Sequence, residues 1–168
     1  MNSLIRNRTI QAEIGGAAYG VTLTINALYK ICKRCAGLNS VLIDNPDDLI
    51  FYVAALADSD EVTENFIKSK VTAAEFLRFP GLITECMNAG LERVVASPAS
   101  AAKSKSSEDE MFYQIIYCGT VHMNRTEGEI LSMPVGYLLD LLEMHRRYLG
   151  DSGDEDNQTV KYIDEIDF

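Results

Sequence analysis

The sequence predicts an α+β protein, mainly α-helical, in which an N-terminal β-hairpin is followed by a helical bundle, then a C-terminal helical region and an acidic tail. Three observations carry this expectation. Apolar and polar residues alternate on both sides of Gly15-Gly16, the pattern of two strands joined by a tight turn. Beyond residue 25 the apolar spacing changes to that of helices. Helix-start signals then recur along the chain, at Asn45-Pro46, at Thr72-Ala73-Ala74-Glu75 and at Thr126-Glu127-Gly128-Glu129.

The hairpin is expected over residues 9–25. Ile10, Ala12 and Ile14 share one face, Thr9, Gln11 and Glu13 the other, and Tyr19, Val21, Leu23 and Ile25 alternate with Gly20, Thr22 and Thr24. Two strands are marginal alone, so they must lie on helices or join a neighbour's strands; the second option makes Tyr19 and Val21 candidates for self-association. The glycines do not form a phosphate cradle, because no GK[ST] follows and the spacing is not GxGxxG.

Helical spacing then runs through Leu28, Tyr29, Ile31 and Cys32 to about Ala36, stopped by Gly37. Asn45 caps the next helix, Pro46 takes its first position, and Asp47 and Asp48 face its positive end; the apolar side is Leu49, Ile50, Val53, Ala54 and Leu56. A third helix is expected over Glu61–Lys70, and a short one after Thr72, broken by Pro80-Gly81. Another is expected from about Leu82 to Ala96, with Ile83, Cys86, Met87, Leu91 and Val94 or Val95 inward.

Residues 97–107 are small and polar, the composition of a linker. Glu108–Glu110 favour a helix start, and Met111–Met123 are apolar almost all round, which predicts burial on more than one side. After a short turn from Thr126, Ser132-Met133-Pro134 opens a helix to Tyr148 or Leu149, closed by Gly150. It bears two apolar stripes, Val135/Leu138/Leu139/Leu142/Leu149 and Tyr137/Leu141/Met144/Tyr148, with Asp140, Glu143, Arg146 and Arg147 on the remaining side. Glu143 and Arg147 read as a surface pair worth only a few tenths of a kcal/mol. One stripe suffices to dock a helix, so Tyr137, Leu141, Met144 and Tyr148 become candidates for partner binding, against the alternative of a helix buried all round. The organisation is a hairpin plus helical domain over 1–96, a linker over 97–110, a C-terminal helical region over 111–150 and a disordered acidic tail over 151–168.

At 168 residues the chain is long enough to fold without disulfides or a metal. No apolar run approaches the ~18 residues of a membrane span, and the first residues are too polar for a secretory signal, so a soluble cytoplasmic protein is expected. The net charge is −10, of which −6 falls in residues 151–168. That field and the lack of a basic stripe argue against nucleic-acid binding.

Cys32-Lys33-Arg34-Cys35 matches a redox or zinc half-site, and Cys118 and His122 lie one helical turn apart, so these four residues are the candidate metal ligands. The plainer reading makes the thiols small core residues and His122 a hydrogen-bonded core histidine. His145, the other histidine, falls beside Arg146 on a surface. No HExxH, GxSxG, nucleotide-binding loop or clustered DxD is present, so no enzymatic activity, catalytic residue or cofactor is expected.

The opening AEIGGAAYGVTLTINALYKI and the capped helix PDDLIFYVAAL resemble tail assembly chaperones of long-tailed bacteriophages. The stretch FYQIIYCGTVHMNRTEGEILSMPVGYLLDLLEMHRRYLG is similar to the second helical region of their longer forms. The likeness covers residues 9–96 and 111–149. It implies a non-enzymatic chaperone in the host cytoplasm, commonly a homo-oligomer, that coats the tape-measure protein and helps recruit tail tube subunits, with no membrane or nucleic-acid partner. Two other readings stand beside it: a small acidic interaction or regulatory module that binds a basic host protein, and a zinc or thiol protein using the CxxC.

Overall fold

The computed structural model of the chain describes residues 8–35, 45–95 and 108–149. The chain enters through an antiparallel hairpin, β1 (Ile10–Ile14) and β2 (Ala17–Val21), in which Ile10 faces Val21, Ala12 faces Tyr19 and Ile14 faces Ala17. Gly15 and Gly16 both have positive φ, 61° and 80°, as a two-residue turn matched to strand twist requires. The turn is docked: Gly16 N donates to Glu75 Oε1 at 3.2 Å, and a Cβ on Gly15 would lie 3.0 Å from Lys70 Cβ.

Strand β2 is shorter than the alternation predicts. Residues 22–25 leave the hairpin to meet another part of the chain, where Ile25 N donates to Met133 O at 3.0 Å and Val135 N donates to Leu23 O at 3.1 Å. Helix α1 (Ile25–Cys35) starts at this joint, with the Thr24 hydroxyl accepting from Ala27 N at 3.1 Å. Helix α2 (Pro46–Ala57) begins as expected, the Asn45 side chain accepting from Asp47 N. Helix α3 (Glu64–Lys70) starts three residues later than expected, because the Thr63 hydroxyl caps it through Phe66 N. Val62, just before the cap, and Ile67 are both buried, the placement of a hydrophobic staple.

Helix α4 (Ala73–Phe76) carries the Thr72/Glu75 capping box. Pro80-Gly81 does not break the chain as predicted; it lies in the first turn of α5 (Phe79–Leu91). First-turn N–H groups have no intrahelical partner, so proline costs nothing there. Helix α5 stops at Leu91, before the expected end, and Val94 is exposed. Helices α6 (Glu108–Met123), α7 (Glu127–Leu131) and α8 (Val135–Tyr148) follow, α7 opened by the Thr126/Glu129 capping box.

Helix α2 is central, touching α1, α3, α5 and β2, while α7 reaches α1 and α8 lies on α5. One core runs through both regions: Ile14, Leu23, Leu28, Tyr52, Leu56 and Ile83 belong to the same buried cluster as Ile115, Ile130, Val135 and Leu138. Side chains of that size contribute ~1.5–3 kcal/mol each when fully buried, so the C-terminal helices are held by the same force as the first region. The linker at 97–107, the stop at Gly37, the closing Gly150 and the tail at 151–168 lie outside the described residues.

Candidate protein-binding surface

Helix α8 meets the rest of the molecule on two sides. Val135, Leu138 and Leu139 enter the common core. The second side is polar and buried, contrary to the surface position expected for Asp140 and Glu143. Asp140 accepts from Val94 N at 3.0 Å, Val95 N at 3.1 Å, Arg8 Nη2 at 3.1 Å and Arg93 Nε at 3.4 Å. Burial opposes ionisation, but these four donors outweigh it and hold the Asp140 carboxyl below its ordinary value. Glu143 is gripped by both oxygens of its carboxylate by Arg146, at 3.0 Å each, and by Arg147 Nε at 2.7 Å. Arg146, then Arg147, pull its pKa down against burial. The Glu143–Arg147 pair is therefore anchored on a buried carboxylate.

With both of those sides occupied, the stripe Tyr137/Leu141/Met144/Tyr148 is the side of α8 that faces out. Tyr148 is 87% exposed and Met144 53%, while Tyr137 and Leu141 are half-buried. Helix α6 adds a second outward row. Its inner face is Met111, Phe112, Ile115 and Cys118, with Gly119 allowing Ile130 of α7 to come close. Opposite lie Tyr113, Tyr117 and Val121, at 75%, 56% and 57% exposure. Helix α6 packs against more than one neighbour, as expected, but this one face is left open. The spacing of four that joins these three residues is present in the sequence, but the surrounding apolar residues hide the face they define. The two helices touch, and the rings of His122 on α6 and His145 on α8 lie 5.5 Å apart.

The hairpin candidates fare differently. Val21 is fully buried, and Tyr19 is half-buried with its ring edge-on to Phe66 at 6.2 Å. Both point into this chain's own core, so Val21 and Tyr19 are not open to self-association, contrary to expectation. The hairpin's other face presents Gln11, Glu13 and Ala18.

Among the candidate metal ligands, Cys32 and Cys118 are buried in the core, and the side chain of Cys35 lies outside the described residues. His122 is exposed rather than in the core, its ring edge-on to Tyr117. Among the described residues no group of three or more His, Cys, Asp or Glu is placed to hold a metal ion. Burial pushes the Cys118 thiol up, and it pushes Cys86 up to about 12. Neither thiol is tuned for nucleophilic attack.

A cleft opens between α1, α6 and α7, beside the outward row of α6, and includes Tyr29, Phe112 and Tyr113. Among the described residues no helix is long and apolar enough to cross a membrane. No known protein family, curated protein or solved structure matches the chain.

Proposed function

We propose that the protein is a non-enzymatic phage tail assembly chaperone of the host cytoplasm, which holds the apolar faces of the tape-measure protein and helps bring tail tube subunits to it. The observation that supports this reading most is the pair of apolar outward rows on two touching helices, Tyr137/Leu141/Met144/Tyr148 and Tyr113/Tyr117/Val121. Scattered exposed apolar residues are ordinary on any surface, whereas exposed apolar rows repeated at helical spacing suit contact with another molecule. Helical clients present apolar stripes of matching period, and a helix laid against such rows buries them without any bond being made or broken. The net charge of −10 keeps a coated complex soluble. A homo-oligomer is part of this reading, through a surface other than the inward face of the hairpin.

Co-expression with a tape-measure chain tests it. Wild-type protein is expected to keep the client soluble, and Met144→Asp combined with Tyr148→Asp to lose that ability while retaining its own circular dichroism spectrum. Both side chains are exposed, so the substitutions do not strain the fold. Client that stays equally soluble with the double variant would refute the surface. Holding through apolar contact should also weaken little with added salt, whereas an acidic module gripping a basic protein would release it.

A further inference from the structure

The cleft between α1, α6 and α7 has a chemistry that the outward rows lack. Its volume is about 260 Å³, below the ~300–1,000 Å³ of sites that enclose a whole small molecule, so it suits a single side-chain-sized group. Tyr29, Phe112 and Tyr113 supply aromatic walls, with Tyr29 and Phe112 edge to face at 4.9 Å. The polar lining is Asp109, Glu127 and Asn26. Asn26 already donates its amide nitrogen to Asp58 Oδ1 at 2.7 Å, which leaves its carbonyl oxygen as an acceptor. Acceptors set beside aromatic rings select a cationic donor.

Two contacts within the chain display the same chemistry. Lys33 Nζ lies 5.6 Å from the centroid of the Tyr29 ring and pairs with Asp109. Arg34 stacks over Phe51, its Cζ 4.3 Å from the ring centroid, and is flanked by Glu64 at 3.1 Å and Asp48 at 3.7 Å. One aromatic ring and two carboxylates thus suffice to hold a guanidinium on this protein. The cleft has three rings and two carboxylates; Asp109 is engaged by Lys33, while Glu127 has no ion-pair partner among the described residues.

We propose that the cleft takes the guanidinium of an arginine side chain presented by the client, stacked between Tyr29 and Tyr113 and bound by the Glu127 carboxylate. The planar fork of arginine can bind a carboxylate through two parallel N–H groups while its face stacks flat on an aromatic ring, a geometry that the point charge of an ammonium does not offer. Tyr113 belongs both to the cleft and to the outward row of α6, so a helix lying on that row carries a side chain into the opening. The source of the arginine rests on the chaperone reading; the chemistry of the cleft does not.

The test titrates n-butylguanidinium into the full ¹⁵N-labelled chain and follows amide shifts, with n-butylurea, its uncharged isostere, in parallel. Shifts should centre on Asn26, Tyr29, Tyr113 and Glu127 with roughly millimolar affinity, and n-butylurea should bind at least ~5-fold more weakly. Glu127→Gln should weaken n-butylguanidinium by about 3- to 5-fold. Tyr113→Leu, at an exposed position, should weaken it as well. Equal affinity for the two ligands, shifts that map elsewhere, or unchanged affinity in both variants would overturn the proposal. No client is present in this titration, so its failure leaves the solubilisation result standing, and the reverse also holds.

Discussion

Replacing Asp140 by Asn should cost this protein a large share of its stability. The side chains of Arg8 and Asp140 are only 4% and 10% exposed, so solvent screens their pairing little. The carboxylate serves four donors, two of them guanidiniums, and Arg8 Nη1 is already a buried nitrogen without a hydrogen-bond partner among the described residues. An asparagine keeps the shape but removes the charge, and its amide nitrogen turns a donor towards other donors. Losing one partner of a buried pair typically costs ~3–5 kcal/mol, because the other charge stays buried and uncompensated. Against a whole-domain stability of ~5–15 kcal/mol that is decisive. In urea, with a slope of roughly 2 kcal/mol/M, the midpoint should fall by about 1.5–2.5 M at neutral pH. The pH dependence supplies an independent sign. Asp140 and Glu143 are both held below their ordinary values in the folded state. Such carboxylates stabilise fully above their unfolded pKa, about 4, and that contribution is lost as pH falls through the lower folded value. The gap between wild type and Asp140→Asn should therefore be widest above about pH 5 and narrow steadily below pH ~4. A loss under ~1 kcal/mol at neutral pH, or a gap independent of pH, would refute the view of this cluster as a buried clamp.

Two further outcomes can be measured on the isolated protein. A Cβ on Gly136 would lie 2.5 Å from Glu92 O and 2.6 Å from Arg8 Nη1, whereas Gly128 has open space around it. Gly136→Ala should destabilise by about 1–3 kcal/mol or more, and Gly128→Ala should stabilise by ~0.5 kcal/mol; thermal melts that rank them the other way would contradict the packing of α8 on the end of α5. Burial raises the thiols of Cys86 and Cys118, and Cys32 is buried too. Native protein at pH 8 should therefore label at these three positions far more slowly than unfolded chain in a disulfide-exchange assay. Rapid labelling of all three would revive the thiol reading.

Local chemistry was legible in the sequence. The Gly15-Gly16 turn, the Asn45-Pro46 start and the Thr72/Glu75 and Thr126/Glu129 boxes each depend on residues within three or four positions, and all four form where expected. The outward stripe of α8 was legible as well, because helical period alone separates it from Val135/Leu138/Leu139. What escaped depends on residues far apart along the chain. Asp140 reads as part of a solvated side of α8, since nothing near it in sequence shows that Arg8, 132 residues away, and the backbone at Val94 and Val95 arrive there. The early end of α5 has the same origin, its following residues being taken by Asp140. Val21 illustrates the converse: strand period shows only that one face is apolar and leaves open whether that face meets the same chain or another.

The clamp and the open surface are two consequences of one choice. Helix α8 has two apolar stripes, and hydrophobic burial by itself would accept either against the core. Rolling the helix to bury Tyr137, Leu141, Met144 and Tyr148 would take Asp140 away from Val94 N, Val95 N, Arg8 and Arg93, leaving two guanidiniums without their counter-charge. At several kcal/mol that penalty exceeds the difference between two stripes of similar size, so the charged side of the helix decides which apolar side stays in water. Polar pairing inside the protein thereby specifies which apolar side chains stay exposed on its outside. The pH-dependent gap in Asp140→Asn measures whether that decision is made by charge.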